Sequence, residues 1–317
     1  MSLISAFTGA VGPILVIAAV GYLLTRVADI DVTSLNTVGL YVLVPALAFH
    51  SIATTDLSGA AIVKLGVGVI AYALVMVGVA WIAGRLVGES GPLLGAMMLA
   101  AAIPNSGFIG IPLSEFAFGD VGRTTAVLYL TIQNLIVYTL GVYIASRGTD
   151  RSALRSVKEI FRLPLVYAVI AAVLVRGLGL VPTGETALME TLRLVGDSSI
   201  PIMLLILGVQ LADTDVSAVS RTVTPSVLKL GVAPMIGIGI ALALGFDNPT
   251  VARVFILECA TPAAVIPLAL IIEYADVRAV DGITAPEYLS TTIFVTTVIG
   301  TVVLTALVAL LQSGVIV

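Results

Sequence analysis

The sequence predicts an all-α polytopic membrane protein of ten transmembrane helices, arranged as two inverted five-helix repeats with broken, crossed fourth and ninth helices. Three observations predict this. Of 317 residues, 59% are hydrophobic and 11% charged. Apolar stretches of about 20 residues, the length of a bilayer crossing, recur from end to end. Prolines also recur at matching places in the two halves. Continuous runs such as VVLTALVALL do not alternate apolar with polar residues, which excludes the strand pattern of a membrane β-barrel.

Apolar runs read against Gly, Pro and polar punctuation place helices at 5–24, 36–52, 61–84, 92–118, 122–146, 163–180, 195–213, 225–245, 250–274 and 287–313. The first has no basic residue ahead of it and no small-residue cleavage pattern, so it reads as a retained helix rather than a signal peptide. Connections are short, and no segment is long enough for a soluble domain. The chain thus divides into a first repeat at 1–146, a short basic cytoplasmic connector at 147–162 and a second repeat at 163–317.

Orientation follows from the retention of Lys and Arg on the cytoplasmic side. With the N-terminus outside, the inside set is Arg26, Arg85, Arg147, Arg151, Arg155, Lys158, Arg162, Arg221, Lys229 and Arg278, ten residues. The outside set is Lys64, Arg123, Arg176, Arg193 and Arg253, five residues. Both termini are therefore expected outside the plasma membrane, with the connector supplying the bias. The single cysteine, Cys259, excludes an intramolecular disulfide and any multi-cysteine metal site. A net charge of -4 and a pI of about 5.0 offer no basic surface for nucleic acid.

The repeat is read from prolines. Pro45 and Pro201, in the second and seventh helices, lie 156 residues apart, and Pro104 and Pro262, in the fourth and ninth, lie 158 apart. Local texture agrees: AAAIPNSGFIGIPL stands against LECATPAAVIPLAL. Five helices per repeat is an odd number, so the second copy enters the bilayer in the opposite sense. Each proline removes a backbone donor and frees the carbonyl four residues earlier, that of Ala100 or Glu258. Such groups cost several kcal/mol in hydrocarbon unless protein, water or a ligand meets them. Beyond each break a new half-helix presents N–H groups and a positive dipole end, near residues 105–108 and 263–265, suited to a carboxylate.

Candidate residues cluster at these breaks. Asn105, after Pro104, is placed to cap the new half-helix or to bond a substrate; Ser106 and Thr261 add hydroxyls, Gly107 and Gly110 allow close backbone approach, and Ala263 opens the second half-helix. Glu258 is a carboxylate deep in RVFILECATPAAVIPL, where insertion costs at least about 2.5 kcal/mol without a partner, which marks it for binding Na⁺ or carrying a proton. Gln133 and Asn134, in the fifth helix, are placed to support the crossing or to bond neighbouring helices. His50, Glu115, Asp197 and Gln210 lie near helix ends, where structural, capping or snorkelling roles explain them. The sequence carries no HExxH or GxSxG motif, and no enzyme activity is expected.

Several of these segments resemble the auxin efflux carrier family, which includes the plant PIN-FORMED exporters and many prokaryotic members. They are LYVLVPALAFHSI, IPNSGFIGIPL, IQNLIVYTLG, GDSSIPIMLLILGVQLA and CATPAAVIPLAL, in order along nearly the whole chain, with Asn-x-Gly-Phe-x-Gly-x-Pro-Leu at 105–113. The resemblance implies a plan similar to that of bile acid sodium symporters. Helices one, two, six and seven would form a scaffold that dimerises, and the other six a transport domain carrying the crossover. Pro104, Asn105 and Pro262 match the crossover positions, and Gln133 falls where the fifth helix supports them. The long central loop of the plant members is absent. Glu258 is similar to a carboxylate that helps bind Na⁺ in the bile acid symporters, whereas plant auxin carriers are not considered sodium driven, which leaves the coupling ion open.

The functional expectation is a carrier of a small organic anion, an auxin-like aromatic or dicarboxylic acid, working by an elevator-type shift and needing no cofactor beyond a possible Na⁺ or H⁺. A Na⁺/H⁺ exchanger or channel without organic substrate is the alternative. An intramembrane enzyme and a non-transporting sensor are more remote.

Overall fold

The computed structural model describes residues 3–147, 163–182, 186–212, 218–275, 278–280 and 282–317. From residue 148 onward the basic connector lies outside them. Among the described residues the chain is helical, with two isolated antiparallel bridges, Pro104 with Ala263 and Val280 with Ile283. The helices are α1 Leu3–Leu24, α2 Val32–Ala53, α3 Gly59–Leu86, α4 Gly91–Ala102, α5 106–118, α6 120–145, α7 Pro164–Gly177, α8 Ala187–Ala212, α9 Val223–Leu244, α10 Pro249–Ala260, α11 Ile266–Tyr274 and α12 Ala285–Gln312. Gly119, at φ 65°, separates α5 from α6 within the apolar run Ser106–Ala145. Among the described residues seven runs are long and apolar enough to cross a bilayer, those of α1, α2, α3, α5 with α6, α8, α9 and α12. This is a multi-pass membrane protein.

Polar caps start the helices where the sequence places Asp, Ser, Asn or Thr. The Asp31 carboxylate accepts from Thr33 N at 2.9 Å, Ser58 Oγ from Ala61 N at 3.1 Å and Asn248 Oδ1 from Thr250 N at 2.9 Å. Thr284 and Glu287 close a capping box at the head of α12. Thr186 likewise caps α8, which begins at Ala187 and not at 195. The stretch ALMETLRLVGD is too polar to read as membrane-spanning, yet its amphipathic face packs on α2 and continues the helix outward.

Six prolines inside the helical runs show two outcomes. Pro13, Pro45, Pro112 and Pro234 each follow a single π-type turn, at Phe7–Val11, Gly39–Leu43, Ser106–Gly110 and Leu228–Val232. The wider turn absorbs the clash between the proline ring and the carbonyl four residues earlier, and the helix continues. Pro104 and Pro262 instead stop their helices, because the preceding residues, Ile103 (φ -105°, ψ 104°) and Thr261 (φ -60°, ψ 152°), are extended.

Packing brings α1 against α8 and α2 against α7 and α8; α3 lies on α4, α6 and α9, while α10 lies on α6 and α9, and α12 on α4. At the α1–α8 crossing a Cβ on Gly21 would overlap the Leu205 carbonyl and one on Gly208 that of Ala18, so both positions admit only glycine at this separation.

The fold corrects one reading of charge. Lys229, counted above among the cytoplasmic residues, is fully buried in the second turn of α9. Without it the inside set keeps nine residues against five, and the sign of the bias stands.

A Gly208→Val variant is expected to lose about 1–3 kcal/mol through overpacking, read as a lower melting midpoint in detergent. Gly78→Ala, in open space on α3, is the control and should hold or slightly raise the midpoint.

Candidate functional site

The two proline breaks lie side by side and satisfy each other. Asn105 N donates to Pro262 O at 2.8 Å, and Ala264 N donates to Ile103 O at 3.0 Å. This reciprocal pair forms the Pro104–Ala263 bridge and meets backbone groups that a broken helix would otherwise leave bare in the apolar interior. Further groups at the breaks have partners of their own. Gln133 Nε2 donates to Pro104 O at 2.9 Å while its Oε1 accepts from Ser106 Oγ at 3.0 Å. Ala263 N donates to Thr296 Oγ1 at 3.2 Å. The carbonyl of Glu258, freed by Pro262, accepts from Thr261 N at 3.2 Å and Thr261 Oγ1 at 2.9 Å.

A cavity of about 260 Å³ opens beside this pair. Pro104, Asn105, Ser106, Gly107 and Phe108 line it from the first break, and Ala264, Val265 and Ile266 from the second; Gln133, Asn134 and Tyr138 of α6 complete that side. The facing wall comes from Asn36, Gly39, Leu40 and Val44 of α2, Leu163 and Leu165 at the head of α7, and Met203, Ile206 and Gln210 of α8. Among the described residues no charged side chain lines the cavity.

Asn105 caps α5 by accepting from Phe108 N on its Oδ1 at 3.3 Å, which fixes the orientation of its amide. Its Nδ2 is buried and has no protein acceptor, and the Oδ1 of Asn134 is buried without a donor. The cavity thus combines an unused amide donor, an unused amide acceptor, a half-helix N-terminus and apolar walls of Leu, Val, Ile, Met and Phe. Such a surface can hold a ligand with an apolar body and one polar or anionic end.

The other sequence-selected residues lie behind the cavity. Thr261, Pro262 and Ala263 are buried on the far side of the second break and do not line it. Glu258 is fully buried, its Oε1 accepting from Ser114 Oγ at 2.9 Å and its Oε2 without a donor. The carboxylate rests directly on Gly110, where a Cβ would overlap it. Next to it in sequence, the Cys259 carbonyl accepts from Tyr72 Oη at 2.9 Å and from Lys229 Nζ at 3.1 Å.

Lys229, Tyr72, Asn36 and Tyr138 were not selected from the sequence. The signal for Lys229 was present, since TPSVLKLGVAPMIGIGI places an ionisable residue inside an apolar run as surely as Glu258. Its nearness to the start of the helix made it read as an end charge. Glu115 and Asp197, read as end residues, instead meet at Arg123. Its guanidinium bridges Asp197 at 2.9 Å, Asp120 at 3.2 Å and Glu115 at 3.6 Å. Arg123 thereby ties the α5–α6 corner to α8.

Replacing Gln133 with Leu removes the side-chain donor of the Pro104 carbonyl, which keeps Ser106 N at 2.9 Å, and takes away the acceptor of the buried Ser106 hydroxyl. The expected loss is about 1–3 kcal/mol, that of a buried polar group deprived of its partner. A melting midpoint in detergent equal to that of the wild type would show that Gln133 does not hold the break.

Comparison with known proteins places the chain among membrane transporters. A family model described as membrane transport protein matches residues 6–308. An uncharacterized transporter of Methanothermobacter thermautotrophicus is 29% identical over 266 residues, covering 82% of this chain and 86% of the relative. An uncharacterized transporter of Methanocaldococcus jannaschii is 24% identical over 207 residues, covering 62% of each chain. The chain belongs to the membrane transport protein family, that of the auxin efflux carriers.

Proposed function

We propose that the chain is a secondary active or facilitative carrier that moves a small organic anion, an auxin-like aromatic or dicarboxylic acid, across the plasma membrane. The observation that carries this reading is the cavity beside the paired breaks, with the Asn105 amide at its edge and amide and apolar groups on its described walls. The anion's carboxylate sits at the N-terminus of α5 and accepts from Asn105 Nδ2, while its apolar body lies against Leu40, Val44, Met203 and Ile206. Ser106 and Gly107 shape the near wall. Thr261, Pro262 and Ala263 hold the second break in register behind it.

On this reading the ten membrane passages form two inverted five-helix repeats, with α4–α5 and α10–α11 as the crossed fourth and ninth. Helices one, two, six and seven (α1, α2, α7, α8) are the scaffold and carry the homodimer contact; the remaining six move as the transport domain. The cavity lies between the two groups, each supplying one wall, so that a shift of the moving group carries the bound anion past a stationary face. This elevator-type motion is supported by the rigid cross-bracing of the two breaks, which keeps both half-helices in one body. Both termini lie outside. No cofactor is required, and Glu258, with Gln133 and Asn134 nearby in the bracing, is the group whose protonation would couple to the cycle.

The second reading, ion exchange without an organic substrate, draws on the unpaired Oε2 of Glu258. Ion flux with no organic acid present would favour it.

Radiolabelled aromatic and dicarboxylic acids supplied to proteoliposomes test the proposal. Wild type should show saturable uptake, and Asn105→Ala should lower kcat/KM at least about tenfold, the equivalent of one lost hydrogen bond to a charged group, while remaining folded. Unchanged kinetics in Asn105→Ala would remove that residue from the site.

A further inference from the structure

The cavity lies toward one end of the molecule, and an ion pair holds the other end together. Asn36 near the start of α2, Tyr138 toward the end of α6, Leu165 in the first turn of α7 and Gln210 in the last turn of α8 line the cavity, all at the end where α6 finishes and α7 begins. At the opposite end, Arg123 in the first turn of α6 donates from Nη1 to Asp197 Oδ1 of α8 at 2.9 Å. Beside it Thr124 Oγ1 donates to Ser51 O, near the end of α2, at 3.3 Å, and Ser51, Arg123 and Thr124 are all buried. These contacts join the two groups of helices that slide past each other in the carrier proposed above, α6 on one side and α2 and α8 on the other.

Each member of the ion pair also has a partner within its own group. Arg123 meets Asp120 at 3.2 Å and Glu115 at 3.6 Å, both from the α5–α6 corner. Asp197 offers its other oxygen to Arg193 at 3.1 Å, one turn earlier on α8, and Arg193 in turn holds Glu190 at 2.6 Å. The place of Asp197 is set by its neighbour Gly196, which packs so closely on α2 that a Cβ there would lie 2.7 Å from Leu47 Cα. Parting the two groups therefore breaks the Arg123–Asp197 bond and leaves neither charge without compensation. Stripping a buried ion of its partner is otherwise strongly destabilising. A permanent tie between two helices needs no spare partner on each side; a contact made and broken in every cycle does.

We propose that Arg123 and Asp197 form a breakable latch. Closed, it holds the form described here, with the cavity at the α6–α7 end; released, it lets the opposite end part. The latch rests on the carrier reading, in which the two groups move, and adds which contact sets the balance between the two forms. The Asp197 side chain is 38% exposed, so water and salt weaken the bond. A weak latch suits such a cycle, because a bound ligand shifts a balance only by its difference in affinity for the two forms.

The test is a distance measurement by pulsed electron paramagnetic resonance on the full-length protein in detergent. Nitroxides are attached at Val63→Cys near the start of α3 and Leu188→Cys at the start of α8, exposed positions of the two groups at the latch end. Leu188→Cys with Ile170→Cys, both in the scaffold group, is the control pair; the native Cys259 is fully buried, and the unsubstituted chain serves as the labelling blank. The Val63–Leu188 pair should show one predominant distance and a minor second component. Asp197→Asn, which keeps the shape and removes the charge, should raise the share of that second component at least about threefold. Asp120→Asn takes a carboxylate from the same arginine on its own side of the latch, and should not raise it. Going from about 0.1 to about 1 M KCl should raise it with Asp197 intact and not in Asp197→Asn, while the control pair stays constant throughout. An Asp197→Asn distribution equal to that with Asp197 intact overturns the proposal, as does an equal rise in Asp120→Asn. A distribution that does not move with KCl when Asp197 is intact overturns it whether or not the variants fold. None of these readings involves transport, so they are separate from failure of the carrier proposal, which would show as absence of saturable anion uptake by the wild type.

Discussion

The structure depends on one exchange of backbone hydrogen bonds. Asn105 N reaches Pro262 O, and Ala264 N reaches Ile103 O, so each broken helix supplies what the other has lost. Neither break would persist alone among apolar helices, because irregular backbone at that depth carries unpaired groups at several kcal/mol each. Side by side they leave a short extended bridge whose outstanding valences are met by Gln133, Thr261 and Thr296. Gln133 of α6 and Thr296 of α12, which look out of place in membrane helices, follow from that need.

The same exchange divides the interior into two chemically different compartments. On one side is a cavity whose described lining offers amide groups, a helix N-terminus and apolar walls. On the other, behind α5 and α10, lie the ionisable groups Glu258 and Lys229, both fully buried. Gly110 makes the partition thin, since a larger residue would displace the carboxylate that rests on it. The charge store and the cavity are thus neighbours across the first turns of α5. A change at Glu258 reaches the cavity through Ser106, which lines the cavity and neighbours the carboxylate.

Much of this was legible in the sequence for a physical reason: proline, asparagine and glutamate are costly in hydrocarbon, so each occurrence needs a cause. Pro104, Pro262, Asn105 and Glu258 could be singled out one by one, and the 158-residue offset paired the prolines. What lay beyond reach was partnership. Gln133 was identified as a helper, but that it bonds Pro104 O and Ser106 together depends on the rotation of α6. Thr261, Pro262 and Ala263 were grouped with the cavity, whereas the cavity receives the next three residues, because an extended pair of residues turns the chain between them. Lys229 was misread because distance from a helix end in sequence is a poor measure of depth when the helix is sheathed by neighbours. The prolines that do not break their helices, such as Pro45 and Pro234, were also indistinguishable from those that do. The difference is a π-type turn that only the backbone reveals.

A cavity whose described walls carry no fixed charge has a consequence for any anion it holds. A lysine or arginine on its wall would bind a carboxylate strongly and, by the same strength, slow its release on the far side; amide donors and a helix dipole give weaker, directional attraction. Discrimination then falls to the apolar walls, where each methylene placed or misplaced is worth only about 1–3 kcal/mol. Such a site favours a class of acids over a single compound. Within that class, the facing residues of α2 and α8, more than Asn105, set which body is accepted, because they form the wall that the carboxylate does not touch.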